Sequence, residues 1–239
     1  SAEEQQQGFG ASKKMVLDKD LNVLEQLCDA ISASNIQNLN LSKCQLGPKA
    51  MGPISKMLKS AKMNAAIIFL DVSGNQIGTD GAAAIGKAVI GTQIQTIVIG
   101  PKSTKVQLDG AERWDFPSQD LGPAELILMA ELLKSPKMNA AIIFLDVSGN
   151  PICKSQSGGG FGGGFSGGFG GQAEDVSGLE QLCSSISNSN IQNLSLANCQ
   201  LGPKAMVTVS EMLKSPKMNA AIILDVSGNQ IGTDGAAAI

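Results

Sequence analysis

Apolar residues along this chain come in short alternating bursts that give way to a helical spacing, and the switch recurs. At Ile36, Leu39, Leu41, Cys44 and Leu46, and again at Ile67, Leu70, Val72, Asn75 and Ile77, the frame is Leu-x-x-Leu-x-Leu-x-x-(Asn/Cys)-x-Leu, with Ile or Val standing for some Leu. It returns at Ile142, Leu145, Val147, Asn150 and Ile152, at Ile191, Leu194, Leu196, Cys199 and Leu201, and at Leu224, Val226, Asn229 and Ile231. The alternating positions predict a short strand buried on one face. The Asn side chain can both donate to and accept from backbone left unpaired where the chain turns. Residues 77–89 and 121–133 then carry a helical pattern; in the second, apolar positions three and four apart and Pro123 at the first turn predict a helix packed on the sheet.

The frame is copied as well as repeated. Residues 62–75 and 137–150 are identical, a third copy from Lys217 lacks only the Phe, and residues 35–48 return nearly unchanged at 190–203, so the chain reads as an internal duplication. Two stretches interrupt it. Over residues 94–109 there is no helix pattern; two β-rich runs flank Gly100 and Pro101, which predicts a hairpin inserted near 94–113, ahead of a strand at Trp114 and Phe116. Residues 155–171 are mostly Gly with Phe161, Phe165 and Phe169, and read as a flexible linker whose Phe residues could act as weak stickers for a neighbouring protein. This run formally contains Gly-x-Gly-x-x-Gly, but a dinucleotide site needs its glycines at one strand-to-helix turn with an acidic residue further on. The expected organisation is a polar N-terminal extension (1–20), a repeat segment (21–154) with the hairpin, the linker (155–172), and a second repeat segment (173–239). The last segment reads as truncated, because residues 228–239 repeat 74–85 and stop in mid-helix; the expectation is a further repeat or a covering neighbour.

The recurring frame resembles the leucine-rich repeat. Strand spacings of 31 residues (Leu41 to Val72, and Phe116 to Val147) and 30 (Leu196 to Val226) leave room for a full helix and are similar to those of the ribonuclease-inhibitor subtype. That resemblance implies an α/β solenoid, a horseshoe with parallel strands on its concave face and helices on its convex face. It also implies that Cys44, Asn75, Asn150, Cys199 and Asn229 form one structural ladder, since the family accepts either residue type at that position.

Composition narrows the chemistry. The chain has 18 basic and 21 acidic residues, no His, and Arg113 as its one arginine. No field strong enough to draw in nucleic acid follows from that balance, and without imidazole the commonest general base and metal ligand are missing. The expectations are therefore no enzyme, no cofactor and no metal. Five cysteines with no Cys-x-x-Cys pair suggest free thiols in a reducing, intracellular compartment, whether cytoplasm, cilium or plastid. Cys28 and Cys183 fall at matching core positions, while Cys153 falls at a loop edge. No apolar run reaches the roughly 20 residues a membrane span needs.

What remains is a surface. Between the buried strand positions the pattern points Phe69, Asp71, Ser73, Thr96, Val98, Arg113, Asp115, Phe144, Asp146, Ser148, Ile223 and Asp225 to solvent, an acidic stripe with apolar neighbours. The expected binding residues are Phe69, Asp71, Asp115, Phe144, Asp146 and Asp225, and the expected function is a non-enzymatic scaffold or structural subunit that binds other proteins, with no nucleic acid and no membrane span. Two alternatives stand beside it: a regulator of a small GTPase resembling the Ran GTPase activator, with Arg113 as its catalytic finger, and the sensing region of a larger receptor.

Overall fold

A computed structural model describes residues 21–154, 174–216, 218 and 222–238. The expected N-terminal extension and the Gly/Phe-rich linker lie outside the described residues. In chain order the elements are α1 (Leu21–Ala33), β1 (Asn38–Asn40), a 3₁₀ turn (Pro48–Ala50) leading into α2 (Met51–Leu58), α3 (Ala61–Ala66), β2 (Phe69–Asp71) and α4 (Gly78–Val89). Then come β3 (Thr96–Ile99), β4 (Thr104–Gln107), β5 (Arg113–Asp115), α5 (Pro123–Leu133), α6 (Pro136–Ala141) and β6 (Phe144–Asp146). The last part holds α7 (Ser177–Ile186), β7 (Asn193–Ser195), α8 (Pro203–Leu213), β8 (Ile223–Asp225) and α9 (Gly232–Ala238).

The strands form two four-stranded sheets, β1-β2-β3-β4 and β5-β6-β7-β8. All pairs are parallel except β3 with β4. Register sets Leu39, Leu70, Ile97 and Val106 in one row and Trp114, Leu145, Leu194 and Leu224 in another. These rows face the helices and, Leu224 apart, are buried in one continuous core. The strand-then-helix alternation with parallel pairing is an α/β repeat fold.

Each copied strand ends in Ser-Gly-Asn, and the glycines Gly74, Gly149 and Gly228 hold φ of +66°, +67° and +69°. A Cβ at Gly149 would also lie 2.5 Å from the Ser118 hydroxyl, so this turn needs both the left-handed backbone and the missing side chain. Two of the longer helices have their first turn satisfied by a glutamate. Pro123 opens α5, and Glu125 accepts from the Gly122 N–H at 2.9 Å. Helix α8 is capped from a distance: the Glu174 carboxylate accepts from the N–H groups of Gly202 (2.7 Å), Lys204 (3.2 Å) and Ala205 (3.3 Å).

The sheet breaks between β4 and β5, but the helix layer does not. Helix α4 packs directly on α5, and α5 on α7. Glycine makes both contacts possible: a Cβ at Gly86 would sit 2.6 Å from Glu131 Cβ, and one at Gly178 would sit 2.6 Å from the Pro123 carbonyl oxygen. Two strands, β3 and β4, thus stand opposite no helix of their own. Side chains bridge the break, with Trp114 Nε1 donating to the Gln107 carbonyl at 3.0 Å and Lys102 Nζ to the Ser118 carbonyl at 2.8 Å.

The hairpin also changes what the sheet exposes. Ser73 and Val98, expected at the solvent, are both buried. The hairpin turn at Ser103 brings its hydroxyl 3.0 Å from that of Ser73, and Val98 pairs with Lys105 of β4. Short helices α3 and α6 are additional to the expected pattern; they fill the start of the copied segment with Lys-Met-Asn-Ala-Ala, and α3 is capped by Ser60, whose hydroxyl accepts from Met63 N at 3.4 Å.

Candidate functional site

Three asparagines tie neighbouring rungs together. Asn75 Nδ2 donates to the carbonyls of Leu41 (2.8 Å) and Val72 (2.9 Å), while its Oδ1 accepts from Leu46 N (3.0 Å). Asn150 does the same with Phe116 (2.8 Å), Val147 (2.7 Å) and Leu121 N (2.9 Å). Asn229 does it with Leu196 and Val226 (both 2.8 Å) and with Cys199 N (2.8 Å) and Leu201 N (3.1 Å). Each carboxamide therefore ties its own rung to the preceding one. Asn150 is fully buried, whereas Asn75 and Asn229 are half-buried.

The two ladder cysteines differ. Cys199 is buried and its thiol donates to the Val147 carbonyl of the rung before it at 3.2 Å. Cys44 is exposed, because its rung follows α1 with no described strand ahead of β1 to cover it, and it reaches only the Ser42 carbonyl at 3.4 Å. Cys153, expected at an accessible loop edge, is buried instead; burial, and then the nearby Glu174, push its thiol up to about 12. Burial likewise takes Cys183 to about 12 and Cys199 to about 11. The thiolate form on which reactivity depends is suppressed at all three.

On the sheet face turned away from the helices, the second sheet presents two rows across its strands. One row is Arg113, Phe144, Asn193 and Ile223; the other is Asp115, Asp146, Ser195 and Asp225. Asp115 and Asp146 are thus direct neighbours, with a strand separation of about 4.8 Å. In the first sheet the matching rows hold Phe69 and Asp71 beside asparagines, with Thr96 and Val98 on the next strand. Asp115 and Asp225 are exposed, Phe69, Asp71, Phe144 and Asp146 are half-buried, and Ile223 is 70 % exposed.

Three of these carboxylates have a local task. Asp71, Asp146 and Asp225 each accept from the N–H of the Ser two residues on, at 2.9, 2.7 and 2.9 Å. In β1 the same bond is made by Asn40 to Ser42 N at 2.9 Å, so the turn needs the oxygen and not the charge. The Ser227 N–H, then its hydroxyl, hold the Asp225 carboxyl below its usual range. Asp115 lies 3.5 Å from Arg113, whose guanidinium also stacks 3.5 Å over the centre of the Phe144 ring. The stacking of Arg113 on Phe144 was not legible in the sequence, because it joins residues on different strands, whereas Asp115 lies two residues along the same strand and face.

A cleft of about 520 Å³ lies at the loop end of the strands, bounded by Lys43, the turn around Gly74 to Gly78, Pro101, Asp120, Glu125, Pro151 and Lys154. Among the described residues no group of three or more Cys, Asp or Glu is placed to hold a metal ion, and no helix is long and apolar enough to cross a membrane.

The leucine-rich repeat family model matches residues 67–86 and 222–239, the rungs that hold β2 with α4 and β8 with α9. These two matches support a leucine-rich repeat protein, and repeats of that family commonly mediate protein–protein interaction and are typically non-enzymatic. No curated protein matches the chain significantly.

Proposed function

We propose that the chain is a non-enzymatic scaffold or structural subunit that binds other proteins through the open face of its sheets, and that its repeats are of the ribonuclease-inhibitor type, curving as a solenoid with that face concave. The observation that carries this reading is the pair of rows on the second sheet, where Asp115, Asp146 and Asp225 lie beside Phe144 and the exposed Ile223. Carboxylates next to unfilled apolar surface suit a partner that brings basic and aliphatic side chains together. In the first sheet Phe69 and Asp71 extend the same character. Free buried thiols suit a reducing intracellular compartment, and we place the protein there without choosing among cytoplasm, cilium and plastid. A GTPase-activating role is the weaker reading, since Arg113 is engaged with Asp115 and Phe144 rather than projecting free.

Asn40 shows how to test this cleanly, because Asn already serves the strand-end turn that Asp serves elsewhere. The triple variant Asp115→Asn, Asp146→Asn, Asp225→Asn keeps those turns and removes three charges. Proteins that co-purify with the native chain are expected to be lost from this variant at physiological salt. Unchanged co-purification from a folded triple variant overturns the open face as the binding surface.

A further inference from the structure

Two segments of the chain are near copies with different neighbours. Residues 24–28 and 179–183 are both Leu-Glu-Gln-Leu-Cys, and residues 44–51 match 199–206 without a change, so α1–β1 is a sequence copy of α7–β7. Among the described residues only the second copy has a rung ahead of it: α7 packs on α5, and β7 pairs with β6. On the strand side this contact uses groups that the first copy repeats. Asn190 donates from its backbone N to Asn139 O (3.1 Å) and from Nδ2 to Ala140 O (3.1 Å), Gln192 N donates to Ile143 O (2.9 Å), and the Cys199 thiol donates to Val147 O (3.2 Å). The same residue types stand at Asn35, Gln37 and Cys44, all exposed. On the helix side two positions differ. A Cβ at Gly178 would lie 2.6 Å from the Pro123 carbonyl oxygen, yet the copy carries Val23, which is 60 % exposed. Ser185 Oγ donates to the Ala130 carbonyl at 3.0 Å, and the copy carries Ala30.

We propose that Val23 is a steric block against pairing between copies of this chain. The α1–β1 end carries the strand-side groups needed to take the place of α7–β7 on α5 and β6 of a second molecule, and a branched side chain stands where that contact requires glycine. The exchange is a hazard during synthesis. A chain emerges N-terminus first, so α5 and β6 are made before α7–β7, when the α1–β1 ends of neighbouring molecules are already present; misassembly of this kind is characteristic of repeat proteins. Once the chain is complete, its covalent connection gives α7–β7 the higher effective concentration at that face. Until then only the helix side tells the two copies apart. Val23 would meet the backbone of Pro123, which cannot swing aside as a side chain can, and Ala30 forfeits the bond that Ser185 makes. The surfaces involved are the rim of the sheet and the flank of its helix layer, so the inference does not rest on the open face as a binding surface.

The test is refolding of the full chain from urea at low and at high protein concentration, followed by measurement of molecular mass by light scattering. The variant Val23→Gly, Ala30→Ser changes two exposed residues and gives the first copy both helix-side features of the second. It is expected to yield dimers or larger species on refolding at high concentration and monomer on refolding at low concentration, with roughly tenfold or more associated protein than wild type, the factor that relief of one overpacked contact is worth. Adding Gly178→Val weakens the competing contact within the molecule, so association is then expected to persist in the native protein, whereas Gly178→Val alone is expected to stay monomeric. The two-residue variant decides the matter by itself if the three-residue variant folds poorly. Refolding of Val23→Gly, Ala30→Ser to monomer at every concentration, association of wild type to the same extent, or equal association of Gly178→Val with and without the changes at 23 and 30 overturns the proposal.

Discussion

Asn150 donates from Nδ2 to the carbonyl of Phe116 at 2.8 Å, across 34 residues of sequence and one rung of the sheet. The same side chain holds Val147 O, Leu121 N and, at 3.2 Å, Ser148 O, so one carboxamide serves four backbone groups. Asn150→Leu removes all of these bonds while replacing the amide by an apolar side chain. The expected loss is about 1 to 3 kcal/mol for each group left buried without a partner, less what local water or relaxation recovers. Asn75→Leu is expected to cost less, because half-buried groups at that corner can turn to solvent. Chemical denaturation of the two variants side by side checks both the size and the order.

Much of this was readable in the chain. The Leu-x-x-Leu-x-Leu frame encodes which residues face the helices, and Pro123 marks the start of α5, because both are local consequences of spacing and backbone geometry. Other features depend on where distant segments meet. Ser73 looked solvent-facing by alternation, yet the Ser103 turn covers it. Cys153 looked accessible from its place beside a loop, yet the core closes over it. The direction of the Asn ladder, back to the preceding rung rather than forward, follows from packing that periodicity does not contain. Gly86 and Gly178 carried a signal that could have been used, since a glycine inside a helical pattern costs stability unless something must come close.

Gly178→Val tests that close approach. The Cβ alone would meet the backbone of Pro123, with its carbonyl oxygen at 2.6 Å and its Cα at 2.7 Å, and backbone cannot swing aside as a side chain can. Overpacking of this kind costs about 1 to 3 kcal/mol. The expected result is a lowered denaturation midpoint with an unchanged slope; an unaltered midpoint would show that α7 does not rest on the start of α5.

Glu174 caps α8 from 28 residues before Gly202. Glu174→Ala frees three N–H groups at once and is expected to destabilise by about 1 to 2 kcal/mol, in the range of lost helix caps. Glu174→Gln retains an acceptor and should cost less, so the order wild type, Gln, Ala in thermal melts is the result to look for. Equal melting of all three would remove the cap from the account.

The thiols give a prediction with a sign that can be worked out. Cys44 is exposed and should react first with an aromatic disulfide reagent in the native protein, while Cys28, Cys153, Cys183 and Cys199 wait for unfolding. In the folded chain burial raises Cys153 and Cys183 to about 12 and Cys199 to about 11, against about 9.0 for a free thiol. Above pH 9 the unfolded chain therefore loses thiol protons that the folded chain keeps. With fewer protons on the unfolded state, stability falls as pH rises, and it does so from about 9 up to the folded values near 11 and 12. Below pH 9 these thiols are neutral in both states and contribute no slope. Urea midpoints measured from pH 8 to 10.5 should hold steady and then decline, and replacing Cys153 and Cys183 by Ala should flatten that decline while lowering the whole curve. A decline of the same steepness in the double variant would assign the alkaline loss to other groups.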